Sequence, residues 1–213
     1  QDTIARRLCR RAHERGSNVS WFKPTFRVSL KTLQPRRYTD SMGLEITHLG
    51  SGSRGNATLL STGDTRVIVD CGFSLKQMEE RLILAGVKAA SIDAIIVSHH
   101  HSDHSKSAAR ASKKWGARLY ANLETTMRLG LEPISQVRTF EGLERLYISD
   151  DLSLLPVPVP HDDADNVAVI ASNGDGRRAA FVTDLGEPTI ELMKHLAGCE
   201  HISIEHSPLS NPD

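Results

Sequence analysis

Ile95-Ile96-Val97-Ser98-His99-His100-His101-Ser102-Asp103-His104 joins two kinds of sequence without a linker between them. Its first part is apolar and β-branched, the composition of a buried strand. Its second part sets four histidines and one aspartate within six residues. Imidazole and carboxylate are the donors that zinc and related transition metals select, and a strand end is where a loop can hold such donors on a rigid scaffold. If the chain stays roughly extended past Val97, His99 and His101 point one way and His100 the other. Asp103 and His104 follow where a helix can begin, placed to face a second cation. A solvated histidine-rich loop is the bland alternative, and the strand-end placement weighs against it. The stretch reads as a metal site.

Working outward, three more segments end in residues of the same chemistry. Val67-Ile68-Val69-Asp70-Cys71-Gly72 and Phe181-Val182-Thr183-Asp184-Leu185-Gly186 are apolar runs closed by an aspartate and a glycine, and Pro158-Val159-Pro160-His161 closes on a histidine. Ser98-His99-X-His101-X-Asp103-His104 resembles the T/S-H-X-H-X-D-H signature of the metallo-β-lactamase superfamily, and the other three segments resemble that family's accompanying motifs in the same order. The resemblance covers Leu44 to about Glu205. Periodicity alone gives a layered α/β protein. The resemblance implies more: a four-layer αββα sandwich, two mixed sheets face to face with helices outside.

The resemblance also implies a ligand set. His99, His101 and His161 form a first site whose three neutral imidazoles leave a position open for water, as catalytic zinc requires. Asp103 and His104 form a second, with Asp184 shared between them because a carboxylate has two oxygens to offer. Asp70 stands behind the ligands, and Asp103 and Asp184 are the catalytic carboxylates. Two divalent cations, Zn2+ or Mn2+, are expected to activate a shared water for hydrolysis. Two departures stand out. Many members carry a glycine shortly after the last histidine of the signature, where this chain has Lys106-Ser107. The final ligand of the second site comes from near the C-terminus in the family; here His206-Ser207-Pro208 follows the strand text Ile202-Ser203-Ile204-Glu205. Either the sandwich lacks its C-terminal end, which is the preferred reading, or His206 substitutes.

Leu49-Gly50-Ser51-Gly52-Ser53-Arg54-Gly55-Asn56 precedes these motifs. Glycines let a backbone approach a ligand closely, and Ser51, Ser53, Arg54 and Asn56 supply donors for an anionic oxygen. Alone, such a loop is a turn. Beside the metal motifs its text resembles the YycJ (WalJ) branch of the superfamily, which implies exonuclease-like, 5′–3′ phosphodiester chemistry with nucleic acid as substrate. His48 alternates with Ile46 and reads as a strand residue, and Asp162, Asp163 and Asp165 read as loop-capping carboxylates before ligands.

Charge is divided along the chain. Residues 1–41 hold ten of the 26 Lys/Arg and three of the 26 Asp/Glu, leaving 16 basic and 23 acidic residues in 42–213. The basic segment reads as a disordered extension, or as sequence ahead of a natural start at Met42, in preference to a nucleic-acid-binding arm or a presequence. Residues 42–213 are then one domain. No run is long and apolar enough to suggest a membrane span. Cys9, Cys71 and Cys199 have no metal-type spacing and cannot all pair, so a reducing, cytoplasmic compartment is expected. Cys71 reads as a packed residue despite its place beside Asp70. The acidic domain keeps a second activity open, hydrolysis of a small thioester, lactone or cyclic nucleotide. An inactive metal-bound scaffold is the third reading.

Overall fold

Val67-Ile68-Val69 and Ala94-Ile95-Ile96 are buried at every position, as parallel strands covered on both faces must be. They lie at the centre of a sheet in a computed structural model that describes residues 18–22, 36–39, 43–131, 136–161 and 164–205. Seven strands form that sheet in sequence order: β2 (Arg36–Thr39), β3 (Leu44–Gly50), β4 (Ala57–Thr62), β5 (Thr65–Val69), β6 (Ala94–Ile96), β7 (Arg118–Asn122) and β8 (Val137–Phe140). It is antiparallel from β2 to β5 and parallel from β5 to β8. A second sheet holds β1 (Asn18–Phe22), β9 (Leu146–Ser149), β10 (Leu152–His161), β11 (Ala164–Asn173), β12 (Arg178–Val182) and β13 (His201–Glu205), in the order β1-β13-β12-β11-β10-β9.

Three apolar clusters show the layers. Ile46, Leu60, Val69, Ile96 and Tyr120 of the first sheet meet Leu154, Val169 and Phe181 of the second. On the outer face of the seven-stranded sheet, Ile68, Ile95 and Leu119 meet two helices, α1 (Leu75–Leu84) through Met78 and Leu82 and α3 (Ala108–Trp115) through Ala111 and Trp115. On the outer face of the other, Val157, Ile170 and Val182 pack against Leu192 and Leu196 of α4 (Ile190–Leu196). Helix, sheet, sheet, helix is the expected sandwich.

Local chemistry sets the boundaries. Ser74 caps α1 in a reciprocal capping box with Gln77. The segment from Ser102 to Trp115 is not one continuous helix. Instead a short turn, α2 (Ser102–Ser105), stops at Lys106, and Ser107 opens α3. Strand β10 runs unbroken through Pro156, Pro158 and Pro160 to His161. Its prolines fall on alternate residues, and Pro156 turns its carbonyl to Leu143 N–H on the β9 side, away from the β11 ladder. The missing N–H groups of Pro156 and Pro158 thus face the side where pairing with β9 has already ended at Leu154. From the basic segment 1–41, expected as an extension without regular structure, β1 and β2 are described, each pairing at a sheet edge. The remainder of that segment, including Cys9, lies outside the described residues.

Candidate metal centre

Three chain segments meet at the carboxyl ends of β5 and β6. Asn56 N–H donates to the Asp103 carbonyl at 2.7 Å, Cys71 N–H to the His104 carbonyl at 2.6 Å, and Gly72 N–H to the Asn56 carbonyl at 3.0 Å. The approach is so close that a Cβ on Gly72 would fall on the Asp103 carbonyl. This is why the Asp70-Cys71-Gly72 segment needs its glycine. Cys71 itself is buried, its thiol 3.2 Å from Ser107 Oγ and pushed up by burial to about 12. It is a packed residue, as expected.

Asp70 organises the ligands behind them. Its Oδ1 accepts from Ser98 N–H at 2.8 Å; its Oδ2 accepts from Ser98 Oγ–H at 3.0 Å and from His104 Nδ1 at 2.8 Å. Because Ser98 donates to Asp70, its oxygen is left to accept from His99 Nδ1, 3.0 Å away. Both imidazoles therefore carry a proton on Nδ1 and turn Nε2 outward. A carboxylate behind a histidine is how metal sites fix ligand tautomers.

The outward nitrogens converge. His99 Nε2 lies 3.0 Å from His101 Nδ1 and 3.4 Å from Asp184 Oδ2, and His161 Nε2 lies 3.6 Å from that same oxygen. On the other side, His104 Nε2 is 2.9 Å from Asp184 Oδ2 and 3.7 Å from Asp103 Oδ2. Within each of the two sets, His99, His101, His161, Asp184 and Asp103, His104, Asp184, the ligand atoms all lie within 4.8 Å of one another. These nitrogens and carboxylate oxygens are donors that divalent cations select, and the two sets, which have Asp184 in common, would be the residues to hold them. Without them the cluster is electrostatically uncomfortable. Burial and the neighbouring His104 push His99 down to about 2. Burial also opposes a proton on His104, but Asp70 and Asp184 outweigh it and hold the pKa up to about 11.

Asp70 and Asp184 both adopt positive φ, 62° and 48°, a strained conformation that aspartate tolerates better than most residues and that clusters at functional sites. Asn166 braces the second turn, donating from Nδ2 to the Thr183 carbonyl at 2.9 Å. Neither Asn166 nor Glu205 was legible as part of the site. Glu205 ends β13 beside it; burial raises its pKa to about 7, His104 opposes, and Asp184 and Asp70 add to the rise. Among the loop residues, Ser51, Ser53 and Arg54 are exposed. Asn56 is buried, its Oδ1 accepting from Gly52 N–H at 2.8 Å and its amide 3.1 Å from His104 Nε2, so it closes the loop against the ligands. His48 is a strand residue bonded to Thr58 and Ser203, and Asp165 joins neither ligand set. Asp162, Asp163 and His206 lie outside the described residues.

Two face-to-face sheets carry a doubled histidine–carboxylate cluster, compatible with divalent metal binding, at their strand ends. The chain belongs to the metallo-beta-lactamase superfamily, whose family model matches residues 50–210. It is 32% identical over 127 residues to Exodeoxyribonuclease WalJ of Streptococcus pneumoniae, covering 57% of this chain and 47% of that protein. It is 30% identical over 149 residues to Exodeoxyribonuclease YycJ of Bacillus anthracis, covering 68% and 56%. The chain thus spans about half the length of the curated relatives it matches. Among solved structures, a metallo-beta-lactamase HARLDQ-motif mutant from Cronobacter sakazakii superposes with a TM-score of 0.60 at 16% identity, covering 80% of this chain and 77% of that one. Among the described residues no helix is long and apolar enough to cross a membrane.

Proposed function

We propose that the protein is a metal-dependent phosphodiesterase that cuts nucleic acid from an end, with Zn2+ or Mn2+ held by the two ligand sets. The observation that carries this reading is Asp184 Oδ2, which lies within 3.6 Å of His99, His104 and His161 together. One carboxylate at the meeting point of two donor sets suits a paired-cation hydrolase. Bound there, divalent cations supply Lewis acidity, lowering the pKa of water and neutralising charge on a phosphoryl oxygen.

The chain's own residues do the rest. Asp70 and Ser98 hold His99 and His104 in the ligating tautomer. Asp103 and Asp184 keep negative charge at the mouth, so that cations are retained. Ser53 and Arg54 present donors on the exposed side of the Gly50–Asn56 loop, where a phosphate oxygen can be met, while the Ser51 side chain bonds Glu205. The relatives are named exodeoxyribonucleases, which favours DNA. A buried Cys71 thiol fits a reducing, cytoplasmic setting.

A second reading keeps the chemistry and changes the substrate. Residues 42–213 hold 16 basic and 23 acidic residues, a balance that suits a small ester or thioester better than a polyanion. Metal-loaded protein assayed on 5′-labelled duplex DNA, bis(p-nitrophenyl) phosphate and an acyl thioester separates the two. Stepwise release of nucleotides from the DNA is expected; thioester turnover with the DNA left intact would give the site to a small-molecule hydrolase.

A further inference from the structure

Arg81 of α1 is half-buried, its guanidinium 3.8 Å above the Phe73 ring. It donates to the Leu49 carbonyl, the one acceptor it meets among the described residues. Guanidinium carries five N–H donors, so most of this group's capacity is unspent. No carboxylate pairs with it among the described residues. Glu80, its neighbour on the helix, lies instead 3.9 Å from Lys76.

The second cation is Arg54, exposed on the Gly50–Asn56 loop and without an ion pair among the described residues. The loop lies directly on Phe73 and Arg81: a Cβ on Gly50 would sit 2.6 Å from the ring and 3.0 Å from the Arg81 Nη1, and one on Gly55 would sit 2.8 Å from the ring. Arg54 is carried by the loop that rests on Arg81. Burial holds Arg81 below its ordinary range, Glu80 opposes, and Arg54 adds to the fall. The main cost at Arg81 is thus burial of its charge, which Glu80 offsets in part and Arg54 adds to. A bound anion offsets that cost, and two planar forks match phosphate oxygens better than lysines would. The far end of the same loop is Asn56, whose amide touches His104 of the metal centre.

We infer that Arg81 and Arg54, with the loop backbone between them, form a phosphate subsite beside the metal centre that takes a phosphate of the strand other than the one being cut. This rests on the nucleic-acid reading above. It adds a residue, Arg81, and it gives the substrate strand a direction, across the Gly50–Asn56 loop and over the last turn of α1.

The test pairs protein variants with altered substrates. Arg81→Met keeps the stem packed on Phe73 and removes the charge, and Arg54→Gln is a surface change; thermal midpoints report whether each folds. Oligonucleotides carry a single neutral methylphosphonate moved stepwise away from the cleaved bond. At one position the methylphosphonate should raise the wild-type KM about tenfold, the scale of one charge-assisted hydrogen bond. Each variant should raise KM on the unmodified strand by a similar factor, Arg81→Lys by less, and variant and methylphosphonate combined should cost little more than either alone. Losses that multiply in full, or a strand cut equally well with the neutral linkage at every position, overturn the subsite and leave the nuclease reading standing. A wild-type protein that cuts no nucleic acid overturns both.

Discussion

Asp70 faces no substrate, yet three donors from two segments converge on its carboxylate: Ser98 N–H, Ser98 Oγ–H and His104 Nδ1. An asparagine there keeps the shape but offers one acceptor oxygen for all three, and its amide must face a donor. Partners behind a metal ligand typically control affinity by about 10–100-fold. Asp70→Asn should weaken metal binding by that factor with the fold retained, as measured by isothermal titration of metal-free protein. Unchanged affinity would mean that the His99 and His104 tautomers are fixed by something else. The ligands were legible in sequence because metal chemistry restricts residue type and spacing together, as in His99, His101, Asp103 and His104. Asn56 was read as a substrate donor, since an asparagine in a glycine-rich loop looks the same whether its amide faces out or in. Asn166 and Arg81 gave no signal: their roles depend on which distant backbone or ring they meet.

At the scale of elements, β13 carries a polar face where the sheets close. His201 Nε2 bonds Ser203 Oγ at 2.8 Å, and Ser203 Oγ bonds His48 Nε2 of β3 at 3.0 Å. The residues alternate along β13, so His201, Ser203 and Glu205 share one side of the strand. Burial pushes His201 down from 6.5 to about 4. The unfolded chain therefore binds this proton first. Stability from this group is full above about pH 6.5 and is lost as pH falls toward 4, to a total of about 3 kcal/mol. His201→Gln, which can still bond Ser203, should flatten that part of the thermal midpoint against pH; parallel curves for variant and wild type would show that His201 does not titrate there. Apolar periodicity made β5, β6, α1 and β7 readable. It could not show the break between α2 and α3, because Ser107 is held by contacts with Cys71 that lie far apart in sequence. Nor could it carry β10 through three prolines, which only its neighbours make permissible.

On the scale of the whole molecule, three apolar clusters stack the layers and leave the strand ends of both sheets to meet at one edge. Ligands from β6's end (His99, His101, Asp103, His104), β10 (His161) and the end of β12 (Asp184) reach the same point only because the two sheets face each other. The order of the motifs, more than any pattern within them, made that arrangement legible. The charge division did not predict the edge strands β1 and β2, since basic composition says nothing about backbone pairing. The central claim is that these six side chains bind metal as two sets joined by Asp184. Elemental analysis of purified protein for metal per chain tests it most directly, on wild type, Asp184→Asn and the double variant His99→Ala/His101→Ala. The expected result is about two divalent cations in the wild type, partial retention in Asp184→Asn, and loss of the first-site metal in the double variant. A double variant that keeps the full wild-type metal content would contradict it.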